Sequence, residues 1–133
     1  MSAALAAARE QAARIASLND LARRAMGVAC TAVATVGFRS LPDADQSRVR
    51  EMIETYDAFD EFSDPHGERD FGTIYQLCDG RWTTERPRLS DDERERVFWK
   101  FDYYDRNLQF GSEDAANLVI TRRVLTIMLA DEY

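Results

Sequence analysis

The segment Arg96–Tyr104, RVFWKFDYY, constrains the fold more than any other stretch of the chain. Val97, Trp99, Phe101 and Tyr103 alternate with Phe98, Lys100, Asp102 and Tyr104, the period-two pattern of an extended strand whose two faces differ. Aromatic and β-branched side chains suit a pleated, half-buried surface. Such a strand needs neighbours for its backbone groups and a second layer to cover its rings. The chain must therefore build a sheet and something to lay across it.

Helical periodicity supplies the second layer. Leu5, Ala8, Ala12, Ile15, Leu18, Ala22 and Ala25 recur at three or four and predict a helix over residues 3–25, capped by Ser2. Its stripe is small before Ile15, so residues 1–14 are expected to fray or to pack on a partner. Val49, Met52, Ile53, Tyr56 and Phe59 predict a second helix over residues 43–59, with Pro42 at its start and Ser40 or Asp43 as its cap. The β-branched run at 28–36 reads as a strand, as does 71–78, which ends in the turn dipeptide Asp79-Gly80. Residues 81–95 are charged and contain a proline, and read as an exposed excursion inside a hairpin. Residues 113–130, apolar nearly all round from Val119, predict a last, buried helix capped by Ser112. The expected order is α-β-α-β-β-α, a single two-layer α+β domain over residues 1–133 with helices on one face of a mostly antiparallel sheet. A chain of 133 residues supports one such core.

Charge is distributed unevenly. Residues 43–70 hold ten acids against Arg48, Arg50 and Arg69, whereas residues 1–42 carry a net charge of +3. Nucleic-acid binding draws on a basic footprint, and the middle third shows the reverse, so a protein partner with a basic surface is expected and direct nucleic-acid binding is not. No run of apolar residues is long enough to span a membrane and no secretory leader is visible, which makes the cytoplasm the expected location. Cys30 and Cys78 are too far apart for a compact metal motif and read as small buried hydrophobes. A monomer or small homo-oligomer is expected.

Four strings, IASLNDLAR, DPHGERDFG, VFWKFDYYDRNLQFGS and TRRVLTIMLADEY, occur in that order between residue 15 and the C-terminus. Together they resemble the bacterial family of domains of unknown function 3768. The resemblance implies accessory cargo of proteobacterial plasmids and other mobile elements. It implies no activity, cofactor or catalytic residue. Members of the family pass almost directly from the DG turn to the FWK strand, whereas here residues 81–95 intervene.

Two constellations could carry chemistry. The first is Asp64, His66, Glu68 and Asp70, around the only histidine of the chain, a donor set that suits a transition metal in a hydrolase or nuclease, with Asp102 as a further candidate. Pro65 and Gly67 inside it favour a turn instead, with Asp64 accepting backbone N–H bonds. The second is Lys100, Asp102, Tyr104, Asp105 and Arg106, which reads as a cross-strand ion pair with two tyrosines at a sheet edge. No phosphate-cradling loop, nucleophile elbow or dinucleotide fingerprint is present, and no cofactor is expected. The leading expectation is a protein-binding accessory protein that uses Glu51, Glu54, Asp57, Asp60, Glu61 and Asp64. Its most concrete form is an inhibitor of a host restriction or CRISPR-type enzyme. A regulatory or antitoxin-like partner that docks through its N-terminal helix is the other expectation from the binding class.

Overall fold

The computed structural model describes residues 2–133. Helix α1 runs Ala3–Arg24, strand β1 Thr31–Ala34, helix α2 Val36–Arg39 and helix α3 Asp43–Glu54. Strands β2 (Phe71–Leu77), β3 (Trp82–Thr83), β4 (Glu93–Tyr104) and β5 (Arg122–Leu129) follow. They form one five-stranded sheet in the order β1-β5-β4-β2-β3. Only the β1–β5 pair is parallel. The α+β class and the mostly antiparallel sheet hold, and the details differ in instructive places.

The predicted helix over 113–130 is a strand from Arg122 onward, preceded by irregular turns. β5 lies between β1 and β4. An interior strand covered on both faces reads as a continuous apolar run, and periodicity alone cannot tell it from a buried helix. β5 in fact alternates: Arg123, Leu125 and Ile127 are buried, with Val124 and Thr126 half-buried between them.

The alternation of β4 is as read. Val97, Trp99 and Phe101 join Ile74, Leu125, Ile127 and Trp82 in the core, against Ala22 of α1, Phe38 of α2, and Val49, Met52 and Ile53 of α3. Trp99 is fully buried, and β2 accommodates it through Gly72, its cross-strand partner. A Cβ at Gly72 would lie 2.3 Å from the indole Nε1. On the other face Phe71, Phe98 and Lys100 are only half-buried. Tyr133 folds back there against Phe71 and Phe98, with ring centroids 6.1 and 5.8 Å away.

Helix α3 ends at Glu54, earlier than the periodicity suggests, and Pro42 holds the N-cap position without a side-chain cap bond. Tyr56 and Phe59 still reach the core from the irregular segment beyond, edge-on to Trp99 at 5.3 and 6.0 Å. Residues 81–95 are only partly an excursion. Trp82 is buried in β3, its Nε1 donates to Asp45 at 3.0 Å, and β4 already begins at Glu93. The cysteines are both free, but they are not buried: Cys30 is half-buried and Cys78 is exposed, its thiol donating to the Asp91 carbonyl. No helix among the described residues is long and apolar enough to cross a membrane.

Candidate functional site

Residues 51–64 descend from the last turn of α3 into a tight loop. Glu51, Glu54, Asp57, Asp60 and Glu61 are exposed, and Asp64 is half-buried. Asp60 organises the loop tip. Its Oδ1 accepts the N–H groups of Phe62 and Ser63, each at 2.8 Å, while its own N–H donates to Ser63 Oγ at 3.0 Å. Those bonds hold the Asp60 carboxyl below its ordinary range. They also present Phe62 to solvent with 95% of its surface exposed. An exposed aromatic within a run that contains no lysine or arginine from Glu51 to Glu68 is unlike a merely solvated face.

The strip is not uniformly acidic in space. Glu54 and Asp57 share a cleft of about 480 Å³ with Arg23, Arg24 and Arg69. Glu51 pairs loosely with Arg48 at 3.5 Å.

The Asp64–Asp70 loop is bolted down from below. Both carboxylate oxygens of Asp64 accept the Arg69 N–H at 3.2 Å, the Asx-type role expected for it. Arg69 thereby adopts a left-handed φ of 55°. Its guanidinium donates to Asp20 of α1 at 2.8 Å and stacks over Phe59 at 5.0 Å. The carbonyl of Glu68 accepts from Asn19 Nδ2 at 3.0 Å. His66 is exposed. Burial, then the neighbouring Asp70 carboxylate, pushes the Glu68 carboxyl above its ordinary range; burial, then Asp64, does the same for Asp70. Among the described residues no three His, Cys, Asp or Glu side chains gather as a metal cluster. Lys100 donates to Asp102 at 2.7 Å, but along one strand rather than across two.

The residues that sequence reasoning missed lie beneath this loop. Asn19 is fully buried; its Nδ2 also donates to Tyr103 Oη at 2.8 Å, and its Oδ1 accepts from Arg123 Nε at 2.9 Å. Arg23, 2% exposed, donates to the carbonyls of Ile53 and Tyr56 and to Asp20. It thus satisfies the open C-terminal end of α3. Ile15, Asn19, Ala22 and Arg23 make up the buried stripe of α1. A polar residue at a core-facing position was the available signal, and the stripe drawn through Leu18 passed beside it.

The family model described as a protein of unknown function (DUF3768) matches residues 34–132. The chain belongs to this family. The match covers β2 to β5 and the acidic loop, takes in only Ala34 of β1, and leaves all of α1 outside. No curated protein and no solved structure matches the chain.

Proposed function

We propose that this DUF3768 protein is a small binding module that docks on a protein partner through the strip from Glu51 to Asp64, including Glu54, Asp57, Asp60 and Glu61. The observation that carries the reading is Phe62, held out by the Asp60-capped turn and flanked by carboxylates. Interfaces draw most of their energy from a few aromatic or arginine anchors, while surrounding charge sets orientation and on-rate. A partner with an apolar notch rimmed by lysine and arginine fits both features. In its narrowest form the partner is a restriction or CRISPR-type enzyme whose basic nucleic-acid channel is occupied, the carboxylates standing where phosphates would lie.

The test is a pull-down with the wild type, with the Glu51, Glu54, Asp57 and Asp60 quadruple alanine variant, and with Phe62→Ala, after each is checked for an unchanged melting temperature. The quadruple variant should bind more weakly and lose most of its salt dependence, and Phe62→Ala should lose about 2 kcal/mol of binding. Duplex DNA should compete for the captured partner. A quadruple variant that binds as the wild type does would sink the proposal.

A further inference from the structure

A second feature is built from residues outside the acidic strip. Gly27–Ala32, leading into and along β1, together with Thr121, Arg122 and Arg123 at the start of β5, line a cavity of about 430 Å³. None of the strip residues from Glu51 to Asp64 lines it, and no lining residue is acidic.

Arg123 is 4% exposed. Its Nε donates to Asn19 Oδ1 and its Nη2 to the Ala115 carbonyl, and both acceptors are neutral. Its Nη1 is buried with no hydrogen-bond partner. Among the described residues no carboxylate lies within ion-pair distance of it. A buried cation without a counter-charge is expensive, and a buried donor without an acceptor adds about 1–3 kcal/mol. The neighbouring Arg122 is exposed and lines the same cavity. β1 is an edge strand of the sheet, so its outer backbone groups pair with no other strand.

We infer that this cavity binds a small oxyanion of the phosphate class, with Arg123 as the buried counter-charge and Arg122 as the second guanidinium. Guanidinium donors match the oxygens of a tetrahedral oxyanion. The volume suits a small molecule. An extended polyanion is disfavoured because the chain carries a net charge of −7.

The experiment is a titration of the intact protein with inorganic phosphate at pH 7 and fixed ionic strength, read by amide NMR shifts. An oligonucleotide of equal phosphate content is the parallel arm. The expected result is saturable shifts confined to residues 27–32 and 121–123. Affinity should fall about tenfold in Arg122→Gln, whose exposed position spares the core. The absence of saturable shifts in those segments, equal affinity in Arg122→Gln, or tighter binding of the oligonucleotide than of phosphate would each overturn the inference. Because none of these residues belongs to the acidic strip, the outcome is independent of the docking proposal.

Discussion

Arg23 and Arg123 are buried to a similar degree, 2% and 4% exposed, and burial pushes both guanidinium groups below their ordinary pKa. Their surroundings are otherwise opposed. Arg23 has Asp20 as counter-ion, two carbonyls at the end of α3, and the rings of Trp99 and Phe59 at 5.2 and 5.5 Å. Arg123 has two neutral acceptors, one ring, Tyr103 at 5.1 Å, and a cavity. The first is a closed structural clamp that ties α1 to the end of α3. The second has the same burial without the same compensation. Each guanidinium keeps one buried nitrogen without a hydrogen-bond partner, Nε of Arg23 and Nη1 of Arg123, so what separates them is the counter-ion. A buried cation with its carboxylate explains itself through the fold, and one without points outside the chain.

The clamp should be the costlier of the two to break. Asp20→Ala leaves the Arg23 cation without its carboxylate and also releases Arg69, which Asp20 holds at 2.8 Å. Removing one partner of a buried ion pair costs about 3 kcal/mol or more. Urea unfolding should show a lower midpoint with little change in slope. A loss under about 1 kcal/mol, the range of exposed pairs, would mean that solvent reaches Arg23 and that the contrast with Arg123 is false.

Arg123→Met should cost less, about 1–2 kcal/mol in phosphate-free buffer. The substitution strands the Asn19 and Ala115 oxygens, but it also removes a charge that lacks a counter-ion, and the two terms oppose. The same urea series measures it. A loss as large as that of Asp20→Ala would show that Arg123 is as fully compensated as Arg23.

How much of this could be read from residues alone follows from which patterns are local. Alternation in Val97–Tyr104 placed Trp99 and Phe101 on the core face of β4, and the Asp79-Gly80 turn marked the end of β2, with Gly80 at a φ of 90°. Ser2 caps α1 as its hydroxyl allows. The alternation of β5 is hidden in the sequence because Val124, Leu125, Ile127 and Met128 satisfy either period. The turn character of Asp64–Asp70 was legible from Pro65 and Gly67. What fixes that turn was not, because Asn19 and Asp20 reach it across 49 positions of sequence. No local rule connects them. Phe62, by contrast, sat inside the acidic run and was passed over because an isolated aromatic in a loop carries no periodicity.

The smallest effect is a sharp test of whether Arg123 has a hidden counter-ion in Glu68. The two groups act on each other only through space, with no ion pair between them. Were Glu68 the counter-ion, its carboxyl would sit below the ordinary range. Burial and Asp70 instead raise it. A carboxyl raised in the folded state contributes stability that is fully present below the unfolded value, about 4.3. That contribution is lost as pH rises through the higher folded value. Glu68→Gln stays neutral throughout and should therefore gain on the wild type between about pH 4 and neutrality. Melting temperatures of the two proteins, subtracted pH by pH, isolate this group from the other carboxyls. A variant that falls progressively behind the wild type over the same interval would give Glu68 the role of partner, leave Arg123 as well compensated as Arg23, and remove the reason for an external anion.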